Sequence, residues 1–120
     1  MIDPLSRLLG LELLDEGPGR ATVQGRVSED HLNPHGMAHG GFIFSLADAA
    51  LAVASNSHGP DAMAIAATIH FTRSANAGDV LTARAREVSL GGRTATYEIE
   101  VVSGEGTPVA LFTGTVYRRS

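Results

Sequence analysis

The run Gly40-Gly41-Phe42-Ile43-Phe44-Ser45-Leu46-Ala47-Asp48-Ala49-Ala50-Leu51-Ala52-Val53-Ala54 is apolar on nearly every helical face and carries one charge, Asp48, in its middle. An apolar stretch of helix length belongs inside a fold, where an isolated carboxylate is costly to bury. Such a group persists where it is paired or where its chemistry is used. His39-Gly40-Gly41 opens the run, and Asn33-Pro34-His35-Gly36 lies just upstream. Together these pieces point to an enzyme site.

The helix is expected to begin at Gly40 or Gly41 and to end by residues 56–59, because Pro60 cannot continue it. Residues 29–37 are rich in Pro, Gly, Asn and His and read as loop. Before them, residues 11–15 and 20–28 read as a hairpin with Glu16-Gly17-Pro18-Gly19 as its turn. At the start, Asp3 as N-cap and Pro4 at the first helical position predict a short helix over residues 3–9, stopped by Gly10. After the long helix the chain becomes all strand, with runs at residues 62–72, 80–89, 94–102 and 109–118 separated by turn chemistry. The third alternates cleanly: Ala95, Tyr97, Ile99 and Val101 face one way, Thr94, Thr96, Glu98 and Glu100 the other. A hairpin, one helix apolar nearly all round and a four-strand meander predict an α+β fold in which an antiparallel sheet curls around the helix.

Composition limits what such a domain does. At 120 residues the chain is expected to form one domain, and 43% apolar content fits a globular core. There is no cysteine, which excludes disulfides and thiolate metal sites and fits a reducing compartment. The N-terminus lacks the basic and apolar blocks of a signal peptide, and the run of residues 42–54 is too short to span a bilayer. The expected location is the cytoplasm, with no membrane partner. A net charge of −4 argues against nucleic acid as partner. All nine basic residues are Arg, a skew that fits anion recognition or simply a GC-rich genome.

Each candidate has a plain reading beside a chemical one. Asp48 is a carboxylate at the helix edge, or a general base or nucleophile whose pKa rises in apolar surroundings. Its neighbours Ala47, Ala49 and Ala50 are small enough to let a substrate approach. Gly40 and Gly41 permit a tight turn, or leave the unpaired N–H groups of a helix N-terminus open to a carbonyl oxygen as an oxyanion hole. His39 donates a hydrogen bond at the mouth or fixes the loop. Asn33 shapes a turn or reaches the substrate as a polar finger. His31, His35 and His39 would align as metal ligands on a helix, but Pro34 and Gly36 break that register, so no metal is expected. His58 and His70 look structural.

The helix sets a geometric condition. Asp48 follows Gly40 by eight residues, roughly 12 Å along the axis, too far for both to serve one carbonyl from one chain. A second helix running antiparallel beside the first brings Gly40 of one chain to Asp48 of the other, twice per dimer.

The segment from Asn33 to Asp48, with its N-x5-H-G-G-x6-D spacing, resembles the signature of hotdog-fold acyl-CoA thioesterases, and within them the phenylacetate-pathway (PaaI-like) branch. The resemblance covers essentially the whole chain, including residues 73–79 and Thr113-Gly114-Thr115. It implies a hotdog fold, a long central helix wrapped by a curved antiparallel sheet of five to six strands. It implies hydrolysis of phenylacetyl-CoA, hydroxyphenylacetyl-CoA or related aryl or medium-chain acyl-CoA, without metal or other cofactor. Asp48 is then nucleophile or base, the Gly40 N–H polarises the carbonyl, Asn33 orients the carbonyl or water, and His39 supports the loop. Relatives often carry a hydroxyl near the positions of Ala52 and Ala64; Thr68 is the nearest substitute here. Gly41, Arg73, Gly92, Arg93, Thr94 and Arg118 are the candidate substrate and CoA contacts. The family builds its sites across a homodimer interface and commonly pairs dimers into homotetramers. A non-catalytic acyl-CoA-binding module, or a hotdog dehydratase or hydratase, is the alternative.

Overall fold

The computed structural model describes residues 2–119. Its elements follow the sequence closely: helix α1 Pro4–Leu8, strands β1 Glu12–Gly17 and β2 Arg20–Arg26, a 3-10 turn Glu29–His31, helix α2 Gly40–Ser55, then β3 Asp61–Phe71, β4 Val80–Leu90, β5 Thr94–Ser103 and β6 Thr107–Arg119. The capping chemistry is as expected. Asp3 Oδ1 accepts the Ser6 N–H at 2.7 Å, and Gly10 leaves α1 with φ of 76°. The first hairpin turn is tighter than the expected four residues. Glu16 and Gly17 pair with Ala21 and Arg20, so only Pro18 and Gly19 form the connection. The segment expected to be loop over residues 29–37 holds a 3-10 turn and the bridges Leu32↔Ala38 and Met37↔Asn76.

All six strands form one antiparallel sheet in the order β1-β2-β4-β5-β6-β3. The expected four-strand meander is therefore a three-strand one. β3 does not neighbour β4 but crosses to the far edge, beside β6. The connection over residues 72–79 runs past the N-terminus of α2, where the Ala38 N–H donates to Ala75 O at 2.8 Å. That crossing brings Arg73 to the start of the helix.

The core lies between α2 and the inner face of the sheet. Phe42, Ile43, Leu46, Ala47, Ala50, Leu51 and Ala54 are buried against Val23, Leu81, Ala83, Tyr97, Ile99, Val101, Phe112 and Val116. At β6 the approach is close: a Cβ on Gly114 would lie 2.7 Å from Leu51 Cδ2 and 3.0 Å from Phe112 Cε1. Gly114→Ala is therefore expected to cost about 1–3 kcal/mol of stability through overpacking, read as a lower Cm in urea with an unchanged m value.

The sheet covers α2 on several sides, as its apolar character suggested, and leaves a stripe uncovered. Gly41, Phe44, Ser45, Asp48 and Ala52 form a stripe along α2 that remains open or half-open. Beside it, edge strand β3 pairs only with β6 and exposes Met63, Ile65 and Phe71. A long apolar edge of this kind is a template for pairing with another chain. Among the described residues no helix is long and apolar enough to cross a membrane.

Candidate active site

The candidate residues on α2 fall in two of the cavities along it, one at its N-terminus and one further along. The first, of about 430 Å³, is lined by Asn33, Met37, Gly40, Ile43, Phe71 and Arg73 among others. It gathers three of the residues singled out in the sequence. Beside it, His39 is the N-cap of α2, and its Nδ1 accepts the Gly41 N–H at 2.8 Å. This fixes the imidazole with its proton on Nε2 when neutral. The Gly40 N–H, first of the helix, has no acceptor among the described residues, as helix geometry dictates for an uncapped first position. It points the positive end of the helix dipole out of the chain. Of the two readings of His39, the loop-fixing one is what the hydrogen bonds display.

Asn33 shapes this cavity through its carbonyl. Oδ1 accepts the His35 N–H at 2.9 Å and the Met37 N–H at 3.1 Å, an Asx turn that holds the loop. Its Nδ2 has no protein acceptor among the described residues, so a donor remains for a ligand. Arg73 likewise makes no side-chain hydrogen bond or ion pair within the described chain, and its guanidinium is exposed at the rim.

The second cavity, of about 260 Å³, lies between α2 and β3 and is lined by Asp48, Leu51, Ala52, Ser55, Ala62, Met63, Ala64 and Val116. Asp48 is half-buried with no hydrogen-bond partner among the described residues. Burial pushes its pKa above the ordinary carboxylate range, and the Asp3 carboxylate beside α1 adds to the shift. Asp3 itself is held low by the Ser6 hydrogen bonds. Nothing in the sequence tied Asp3 to Asp48, 45 positions away. Ala52 and Ala64 both line this cavity, so neither offers a hydroxyl there. Thr68, expected as a substitute, does not reach it within the chain: it pairs with Thr113 on the outer side of the sheet, whereas Ala67 and Ile69 pair with the inward Gly114 and Phe112. The hydroxyls missed in the sequence are Ser55, which lines the cavity, and Ser45, on the open stripe between Gly41 and Asp48. Spacings of seven and three from Asp48 already placed both near its face of the helix.

The remaining candidates collect at the other end of α2. Arg93 Nη1 donates to Tyr117 Oη at 3.3 Å, and Arg118 Nη1 donates to Gly91 O at 2.6 Å, fastening the turn that holds Gly92 and Thr94. These guanidiniums already have structural work, and Arg73 lies about 24 Å away along the 16-residue helix. His58 Nε2 donates to Glu87 Oε2 at 2.6 Å, and Tyr97 Oη donates to the same oxygen at 2.8 Å. His70 lies exposed on β3 and pairs with Leu111. Among the described residues no three His, Cys, Asp or Glu side chains converge as metal ligands.

Chemically, the chain presents an unpaired N–H donor and a carboxylate with a raised pKa on one helix, in two separate cavities. Residues 35–110 match the model of the thioesterase superfamily. The acyl-coenzyme A thioesterase PaaI of Escherichia coli K12 is 43% identical over 116 residues, covering 97% of this chain and 83% of that protein. A mutant structure of the phenylacetic acid degradation protein PaaI from Thermus thermophilus superposes with a TM-score of 0.94 at 54% identity, covering 97% and 99% of the two chains. The protein smu.793 from Streptococcus mutans UA159, solved bound to acetyl CoA, is 30% identical with a TM-score of 0.87, covering 92% and 91%. With its six-stranded sheet around one long helix and these relatives along nearly its full length, the chain is an enzyme of the hotdog-fold thioesterase superfamily.

Proposed function

We propose that this chain hydrolyses acyl-CoA thioesters to free acid and CoA, in sites shared between two copies. The observation that carries this reading is the division of the chemistry: the free Gly40 N–H and the half-buried Asp48 carboxylate occupy different cavities of one helix. An antiparallel second copy of α2 joins them, each Gly40 to the partner's Asp48. The open helical stripe and the unpaired apolar edge of β3 support this association, since both are surfaces a monomer would normally cover. A homotetramer would pair two such dimers.

In this site the thioester carbonyl oxygen lies against the Gly40 N–H, and charge developing on it is met by the helix N-terminus. Asp48 takes a proton from water as the new hydroxyl attacks the carbonyl carbon, or attacks directly to form an anhydride that water then opens. The C–S bond breaks, CoA leaves as thiolate and recovers a proton, and the acid is released. Hydrolysis in either form needs only water as co-reactant, so no cofactor is called for. The Asn33 amide orients the carbonyl or water, while Gly41 and His39 hold the loop. Arg73, free within the described chain, is the leading contact for CoA phosphates; Arg93 and Arg118, with Gly92 and Thr94, are secondary. The apolar walls formed by Met37, Ile43 and Phe71, and by Leu51, Met63 and Val116, suit an aryl-acetyl or medium acyl group, in keeping with the names of the PaaI relatives.

Free-thiol release from a panel of acyl-CoAs tests the reading, and its pH dependence adds a second constraint. The reactive form of Asp48 is the charged one, and its pKa is raised. The acid limb of kcat/KM is therefore expected above the ordinary Asp value of about 3.9, with activity lost as pH falls through it. A rate that stays flat down to pH of about 4 would contradict the assignment.

A further inference from the structure

We propose that His31 is a positioning residue for the oxyanion hole, acting through the stack of its ring on Phe42. This rests on the proposed hydrolysis and extends it to a side chain outside both cavities. His31 ends the 3-10 turn and stands eight residues before His39 in sequence, yet the two meet. The His39 N–H donates to His31 O at 2.7 Å, so the N-cap residue of α2 hangs from the His31 backbone. The imidazole of His31 lies on the ring of Phe42, with centroids 4.0 Å apart and planes 16° from parallel. Phe42 sits in the first turn of α2 and is almost fully buried, so the ring it offers is fixed. On its other edge, His31 Nδ1 accepts the Ser28 N–H at 3.0 Å, which sets the ring plane. The bridge Leu32↔Ala38 closes the same loop.

The consequence is mechanical. The Gly40 N–H is aimed by the peptide between His39 and Gly40, and that peptide is gripped from both ends. His39 holds one end, through its cap on Gly41 and its bond to His31. The stacked pair His31–Phe42 holds the other, tying the first helical turn to the loop. Glycine at 40 and 41 adds no side-chain stiffness of its own. Without the ring of His31 the first turn keeps its helical bonds but loses the lateral support that fixes the direction of the Gly40 N–H.

The test compares His31→Phe, which keeps a ring for the stack, with His31→Gln, which keeps a hydrogen-bond acceptor for Ser28 without a ring. Two readouts are taken on the 120-residue chain: steady-state hydrolysis of acyl-CoA, and the amide cross-peaks of Gly40 and Gly41 in a 1H–15N spectrum. His31→Gln is expected to lower kcat about tenfold with KM nearly unchanged, and to shift or broaden both glycine amides while those near Glu87 stay in place. His31→Phe is expected to restore most of kcat and the wild-type amide positions. Wild-type kcat in a folded His31→Gln variant, or rescue by Gln and not by Phe, overturns the proposal. The spectrum needs no substrate. A wild-type protein that releases no thiol therefore defeats the proposed reaction alone, and the glycine amides still decide whether His31 sets the helix N-terminus.

Discussion

Asp48→Asn is expected to lower kcat for acyl-CoA hydrolysis by about 10²- to 10⁴-fold, the usual contribution of a positioned acid–base group. The substitution keeps the side-chain shape and removes only the capacity to take a proton or attack. KM should move little, because in the proposed site the carboxylate acts on the reacting atoms and not on the CoA moiety. Stability should not fall. The raised pKa means that the folded state disfavours the charged form, so at neutral pH ionised Asp48 weakens the fold. Replacing it with Asn removes that penalty, and Tm at pH 7 is expected to equal or exceed that of wild type. The advantage should vanish as the pH falls through the raised pKa, where wild-type Asp48 becomes neutral too. Loss of turnover together with loss of Tm would instead mark Asp48 as a structural residue.

Gly40→Pro should cost nearly as much by a different route. Proline at the first helical position deletes the N–H without breaking an intrahelical bond, because that N–H has none to make. The preceding residue accepts it: His39 has φ −65° and ψ 137°, the extended conformation that proline demands before it. The added carbons meet Phe71, whose Cζ would lie 3.2 Å from a Cβ at residue 40, but that ring is exposed and free to turn. The variant is expected to fold and to lose about 10²- to 10³-fold in kcat, the cost of one oxyanion donor. Gly40→Ala is its control. It introduces the same Cβ but retains the N–H, and so should keep most of the activity. Equal losses in the two variants would assign the effect to crowding against Phe71.

The elements that build the fold could be read directly from local chemistry. The apolar run of residues 40–54 with Pro60 beyond it made α2, and the alternation Ala95, Tyr97, Ile99, Val101 made the buried face of β5, all four now among the most buried side chains. What could not be read was the place of β3 in the sheet. β3 and β4 are consecutive in sequence but sit at different places in the sheet, because residues 72–79 form a crossing connection whose length alone does not reveal its path.

The site followed the same division. Gly40, His39 and Asn33 do belong together at the start of α2, and their roles as helix start, cap and loop organiser follow from residue chemistry. Thr68 shows how a small irregularity defeats pattern reading. Strict period-two counting puts Thr68 on the same face as Ala64, toward Asp48. A β-bulge between Ala64 and Ala66 inserts Ile65 as an extra residue and reverses the parity, so Thr68 turns outward. The influence of Asp3 on Asp48 was equally hidden, since it depends on α1 packing near α2. The exposed stripe on α2 was hidden as well. The helix is apolar nearly all round, but within one chain the sheet leaves the stripe from Gly41 to Ala52 open or half-open.

Mixed assembly of two inactive variants shows whether a second chain completes the site. Asp48→Asn and Gly40→Pro chains are coexpressed in equal amounts, and thiol release is compared with each variant alone. In a shared-site dimer, every mixed pair holds one site with both defects and one site with Asp48 and Gly40 both intact. Random pairing makes half the dimers mixed, so the preparation should recover about a quarter of the wild-type rate. A mixed preparation no more active than its parents would mean that Gly40 and Asp48 do not act on one thioester across two chains.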